Sequence, residues 1–313
     1  MLGFILQRVL ATIPVMGVVA LAVFLLLRLS PGDPAAVIAG DYATADQIEK
    51  IRTQLGLNDP ILLQFFNWLV KLARGDLGVS IFSNLPVTTL IAQRIEPTLM
   101  LALSTIIFSI AVAVPLGVLA AWKAHTWVDR AVMVFAVVGF SVPVFVMGYF
   151  LIYGFAIGLR WFPVQGYRSP FVDPGLFISH ITLPTLALSA IFIALIARIT
   201  RASVLEVLEE DYIRTARAKG QTERRVLLRH ALANAAVPIV TVIGLGVALL
   251  IGGVVVTESV FNIPGLGRLI VDAILKRDYP IIQGLILFFS FVYILLNLLI
   301  DITYTLFDPR IRY

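Results

Sequence analysis

Glu209–Pro238 reads EEDYIRTARAKGQTERRVLLRHALANAAVP, a polar island set between two long apolar stretches. Arg214, Arg217, Lys219, Arg224, Arg225 and Arg229 make it strongly basic. Ser203–Ala218 has helical spacing, with Leu208, Tyr212 and Ala216 on one stripe. Gly220 suits the position just past a helix end, where a left-handed backbone is often required. Thr222 is placed to cap a second helix, Glu223–Ala236, with Glu223 beside the positive end of its dipole. The expectation is a helix–turn–helix elbow. Ala216, Ala218 and Gly220 leave a small-residue surface open to close approach by another chain, ringed by Arg224, Arg225 and Arg229. Two readings compete. Either the cations follow the positive bias of cytoplasmic loops and touch anionic lipid, or the elbow is a docking handle for a soluble partner. Charge alone does not separate them; the helix–glycine–helix design favours docking.

The flanking stretches set the class. The chain has 313 residues and is 59% hydrophobic and 14% charged, whereas soluble domains average about 45–50% apolar and about 25% charged. The excess lies in runs, and a run of about 20 apolar residues crosses the hydrocarbon core of a bilayer. Six such stretches are expected to span: about 9–29, 98–121, 130–158, 181–200, 237–257 and 281–303. A net charge of +5 on such a chain is no nucleic-acid footprint, because Lys and Arg collect in cytoplasmic loops and set orientation. The first run, Val9–Leu27, is longer than a signal-peptide core and is followed by no small-residue cleavage site, so it reads as a retained span.

With both termini inside, thirteen cations fall on the cytoplasmic side and five in the two short outer loops. The long 30–97 segment crosses largely regardless of charge. Within it, Ala45–Leu55 and Ile61–Leu72 are expected to be helices, the second starting after Pro60. Trp68 and the Phe65-Phe66 pair are candidates for the membrane interface, and Arg74-Gly75-Asp76-Leu77-Gly78 reads as a turn. The segment is expected to form an external helical cap. Pro14, Pro115 and Pro143 lie inside spans, where proline is tolerated; Pro143 is the best candidate for a functional kink, because Ser141 is near enough to bond a freed carbonyl.

The chemistry is as informative for what it lacks. There are no cysteines, and His125, His180 and His230 have no ligand spacing, so no metal site or cofactor is expected. No Asp, Glu, Lys, Arg or His lies near the middle of a span; Arg28, Glu258 and Asp301 fall at span ends. Proton- and ion-driven carriers usually place ionisable groups inside the membrane. A self-contained secondary transporter or channel is therefore disfavoured, and a membrane enzyme more so, since it needs a nucleophile–base or metal cluster. Glu258–Gly267 joins the fifth span to the outer surface. Pro264-Gly265 and Gly267 read as a tight turn, while Glu258, Phe261 and Asn262 are the candidates for a functional role there.

At Asp211-Tyr212-Ile213-Arg214-Thr215-Ala216-Arg217-Ala218-Lys219-Gly220 the loop resembles the "EAA" coupling loop of bacterial ABC-importer permeases, most of all the dipeptide/oligopeptide B-subunit branch. The likeness extends over nearly the whole chain. It takes in Pro31-Gly32-Asp33-Pro34, Leu55-Gly56-Leu57-Asn58-Asp59-Pro60, Gly75-Asp76-Leu77-Gly78-Val79-Ser80, Glu258–Gly267 and Asp308-Pro309-Arg310. Arg214-Thr215-Ala216 stands where the general motif has Glu-Ala-Ala, and the gap from Gly220 to Pro238 is longer than the general motif's; both features resemble the peptide branch.

The resemblance implies an all-α, six-span type I importer permease of the bacterial inner membrane. Residues 1–29 would form the N-terminus and first span, 30–97 the external cap and 98–313 the permease core, with the coupling loop at 201–236. A second homologous permease, two cytoplasmic ATPases and an extracytoplasmic solute-binding protein are the implied partners, with ATP and Mg held by the ATPases. The coupling role falls on Tyr212, Arg214, Thr215, Ala216, Lys219, Gly220, Arg224 and Arg225, and an outer gate or a contact with the binding protein on Glu258, Phe261 and Asn262. Di- or oligopeptides are the implied solutes; glutathione, nickel chelates and opine-like compounds belong to the same class.

Overall fold

The computed structural model describes residues 2–29, 35–36, 44–54 and 57–307, so Pro31–Pro34, Leu55-Gly56 and Asp308–Arg310 lie outside the described residues. Among the described residues there is no strand beyond an isolated bridge between Val79 and Pro86. The helices are α1 Leu2–Leu29, α2 Ala45–Gln54, α3 Ile61–Ala73, α4 Val87–Trp122, α5 Trp127–Ser141, α6 Val144–Leu151, α7 Pro174–Leu208, α8 Asp211–Ala218, α9 Ala236–Val260, α10 Leu266–Lys276 and α11 Tyr279–Phe307. Four of these are long and apolar enough to cross a membrane: Val87–Trp122, Pro174–Leu208, Ala236–Val260 and the Tyr279–Ile300 part of α11.

The expected third span is not one straight helix. Trp127–Ser141 and Val144–Gly158 meet at an angle of 103°, a sharp bend within 130–158 at the proline offered as a kink. The cause is local. Pro143 has no N–H to donate and stands with extended backbone before the first turn of α6. The Ser141 hydroxyl donates to the Val137 carbonyl at 2.8 Å, covering part of the helix end. Beyond α6 the chain widens into a π-helical stretch, Ile152–Gly158.

The chain forms two compact units, one of Met1–Ile95 with Leu269–Leu295 and one of Glu96–Arg268 with Leu296–Tyr313. In the first, Ala20 and Val23 of α1 and Leu287 of α11 form a small core against Trp68, Leu69 and Leu72 of α3. Phe24 meets the Phe65 ring edge-on at 5.0 Å and the Trp68 ring at 5.6 Å. Trp68 and Phe65 thus serve packing within the chain, and Ile61, Leu62, Leu63 and Phe66 are the exposed large apolar residues of α3. The Gly75–Ser80 motif is a turn held from a distance: Ser80 Oγ donates to Asp278 Oδ2 at 2.6 Å and the Ile81 amide to Oδ1 at 3.3 Å. Ser80 and Asp278 are both buried. Ser80→Ala is expected to cost about 1–3 kcal/mol by depriving a buried carboxyl group of its best donor, read as a lower thermal midpoint of the purified chain.

The second unit is built around α7. Its apolar window is 67% buried, against 22% for α4 and 33% for α9, so it is the central post of that bundle. Asp173 caps it, accepting the Leu176 amide at 2.9 Å, with Pro174 at the first helical position. Leu183, Leu188, Phe192 and Ile196 pack inward with Leu101 of α4 and Leu250 and Val254 of α9. Thirty-five residues make α7 about 52 Å long. That exceeds the bilayer core by about 20 Å and carries its far end directly into the elbow.

Candidate functional site

The elbow forms, with two departures from expectation. Ser203–Ala218 is not one helix: α7 ends at Leu208 and α8 begins at Asp211. The three acids Glu209-Glu210-Asp211 explain the break. Carboxylates oppose the negative end of the α7 dipole and favour the positive end of α8, so the chain re-starts there, with the Glu210 carbonyl accepting from the Ile213 amide at 3.0 Å. The break rotates the expected stripe. Ile213, fully buried, is the anchor of α8, while Leu208 and Ala216 are half-buried and Tyr212 is 43% exposed. Burial of part of its ring, with the Glu210 carboxylate nearby, holds the Tyr212 phenol above its ordinary pKa.

Gly220 closes α8 as expected. Its φ is +77°, its amide donates to the Arg217 carbonyl at 2.9 Å, and the Gln221 amide donates to the Ala216 carbonyl at 3.2 Å. This pair of bonds is the Schellman helix end. Arg217 braces the turn through both Glu223 carboxyl oxygens, at 2.9 and 3.4 Å.

The second limb departs from the single helix expected over Glu223–Ala236. It runs Glu223–Arg225, widens into a π-helical stretch at Val226–Ala231, and resumes at Leu232–Asn234 before a break at Ala235. Thr222 occupies the N-cap position, but its side chain makes no capping bond; its carbonyl accepts from the Arg225 and Val226 amides instead. The widened turn buries Val226, Leu227 and Ala231. Ala231 and Ala235 pack with Ala121 of α4, Val204 of α7 and Ile239 of α9.

The outcome is an elbow with a dry inner side and a presented outer side. Tyr212, Arg214, Thr215, Lys219, Gly220, Arg224 and Arg225 are exposed, and Ala216 is half-buried. All eight residues assigned to coupling therefore lie on one elbow. Leu228, 50% exposed beside Arg229, adds an apolar element that the sequence reading missed. Its signal was available: an apolar residue between buried Leu227 and a cation, in a stretch read as one amphipathic helix.

The second candidate site is packed inside the chain. Glu258 is fully buried, Phe261 is 2% exposed and Asn262 is half-buried. Glu258 Oε1 accepts from Thr98 Oγ1 at 2.6 Å and Oε2 from the Arg268 amide at 2.9 Å. Thr98 Oγ1 in turn accepts the Leu266 amide at 2.8 Å, so one carboxyl–hydroxyl pair ties α9, α4 and the start of α10 together. Asn262 stands at φ +53° and its side-chain oxygen accepts from Arg268 Nη1. The Phe261 carbonyl accepts the Gly166 amide at 2.9 Å. Thr98 belongs to this site although nothing in its sequence surroundings marked it.

A helical membrane protein with a presented connecting elbow is the class these features define. Residues 113–313 match the family described as binding-protein-dependent transport system inner membrane component, and residues 1–102 match that system's N-terminal membrane component. The chain belongs to this family of membrane transport components. It is 56% identical over 310 residues, 99% of either chain, to a probable peptide ABC transporter permease of Sinorhizobium fredii. It is 46% identical to a putative peptide transport system permease of Brucella abortus and 45% identical to a glutathione transport system permease of Shigella flexneri, each over the whole of both chains. Among solved structures, the inward-facing MetNI methionine ABC transporter superposes with TM-score 0.60 at 16% identity, over 71% of this chain and 97% of that one. An amino acid ABC transporter gives TM-score 0.53 at 16% identity, over 70% and 94%. These two likenesses establish a shared fold.

Proposed function

We propose that this chain is the permease subunit of an ATP-driven peptide importer, forming half of a solute path beside a second homologous permease. The elbow carries the reading. Its exposed face of Tyr212, Thr215, Lys219 and Gly220 is held on buried Ile213, Val226 and Ala231, so a partner that moves this face moves the end of α7. The partners are two cytoplasmic ATPases, which hold and hydrolyse the ATP, and an extracytoplasmic binding protein that delivers solute. The solute class follows the peptide permeases at 56% and 46% identity. The glutathione permease at 45% supports a second reading, a thiol tripeptide, within the same chemistry.

The topology that goes with this function has six spans. It counts α1 as the first and the bent α5–α6 pair as the third, with both termini and the elbow in the cytoplasm and residues 30–97 as the external cap. Glu258 and Phe261 then act as the internal post of an outer turn, with half-buried Asn262 left to any contact with the binding protein.

Because the chain has no cysteine, the topology is directly testable. Thr215→Cys is expected to react with a membrane-impermeant maleimide only from the cytoplasmic side, and to be protected when the ATPase subunits are co-expressed. Asn58→Cys is expected to react only from outside. Labelling of Thr215→Cys from outside, or its indifference to the ATPases, would sink the proposal.

A further inference from the structure

Asp129 is a buried carboxylate for which the coupling mechanism so far has no use. It lies in the first turn of α5, is 4% exposed, and meets Arg201 of α7 through both oxygens: Nε to Oδ1 at 2.5 Å and Nη2 to Oδ2 at 2.7 Å. The His125 amide gives Oδ2 a third donor at 3.0 Å, from a turn in which His125 stands at φ +65°. The carboxylate is thus satisfied on both oxygens, by two different elements.

The position of Arg201 gives the pair its meaning. It precedes the end of α7 at Leu208 by about two helical turns. Val204, three residues on, is fully buried against Ala231, Ala235 and Ile239. The end of α7 therefore forms one packed body with the second limb of the elbow and the start of α9. At its other end α5 stops at the 103° break before α6. So α5 is a rod fastened at its base by a charge pair and released at its top by a proline.

A buried ion pair is a poor device for stability, because desolvating both charges offsets their attraction. It is a good device for geometry. The planar guanidinium fork meets a carboxylate in one orientation, and so adds an angular constraint to the packing of α5 on α7, where Gly139 comes close to the Ala190 carbonyl. The geometry points to Asp129 and Arg201 as positioning residues: a strut that fixes the register of α5 on α7 and transmits displacement of the elbow to the α5–α6 break. This rests on the docking role of the elbow.

The test uses the complete transporter in proteoliposomes, with solute moved per ATP hydrolysed as the readout. Two variants separate geometry from stability: Arg201→Lys, which keeps the charge and loses the fork, and the double change Asp129→Leu with Arg201→Met, which replaces the pair by apolar volume. Both are expected to co-purify with the ATPases and melt near the wild-type temperature, while solute moved per ATP falls about tenfold. The strut is overturned if both variants keep wild-type transport per ATP, or if the loss only tracks a fall in melting temperature. If no ATPase accompanies even the wild-type chain, the docking reading fails instead.

Discussion

Gly265→Ala is expected to lower the thermal midpoint of the purified chain by about 10 °C and to abolish transport. A methyl group on Gly265 would overlap Cδ and both oxygens of the Glu258 carboxyl group. The overlapped atoms are not the loose end of a surface side chain. Glu258 is fully buried, fixed by Thr98 on one oxygen and the Arg268 amide on the other. Moving it breaks both of these bonds to a fully buried carboxyl group, which costs about 3 kcal/mol or more. Each kcal/mol is worth about 2–4 °C in a domain of this size. Gly220→Ala is the matched control. There the added methyl meets open space, and the only penalty is the left-handed backbone at φ +77°, roughly 1–2 kcal/mol. If the two substitutions prove equally mild, Glu258 is not the post that holds the turn.

That comparison also marks how far the sequence was readable. Gly220 was legible because helix ends announce themselves locally, through a glycine beside a run of cations. Two helices of the 30–97 segment were also legible locally: Ala45–Gln54 and Ile61–Ala73 fall almost where the apolar spacing put them. The role of Glu258 was not. Its partner Thr98 is 160 residues away, and a motif rich in Pro and Gly describes a turn without saying what the turn closes upon. Asp129 was hidden likewise, since Arg201 reads as one more cytoplasmic cation until α5 and α7 are laid side by side. Pro143 stands between these cases. The sequence offered it as a kink; how far the helix turns depends on what α6 packs against, and Gly148 of α6 faces Val260 and Phe261 far along the chain. The break at Glu209-Glu210 was written in three adjacent acids and was outweighed by a continuous apolar stripe.

Tyr212→Ala is expected to weaken ATPase binding about thirtyfold while leaving the elbow folded. Ile213 and Tyr212 are neighbours with opposite tasks: Ile213 is fully buried and anchors α8, whereas Tyr212 stands 43% exposed on the presented face. Truncating Tyr212 therefore removes contact surface without removing the anchor. Aromatic residues at the centre of an interface commonly contribute about 2 kcal/mol or more, and about 1.4 kcal/mol is tenfold in affinity. Its phenol, held neutral by burial and the Glu210 charge, stays a hydrogen-bond donor across the working pH range. Arg224→Glu and Arg225→Glu probe the cationic rim, where charge acts more on association rate and its salt dependence than on affinity. Their effect is expected to shrink as salt rises, and that of Tyr212→Ala to persist. Ile213→Asp supplies the opposite control, since a carboxylate in that dry contact would detach α8 and expose the elbow to protease. Binding measured with the purified ATPases decides the matter: if Tyr212→Ala and both arginine reversals stay within threefold of wild type, the presented face is not where the ATPase docks.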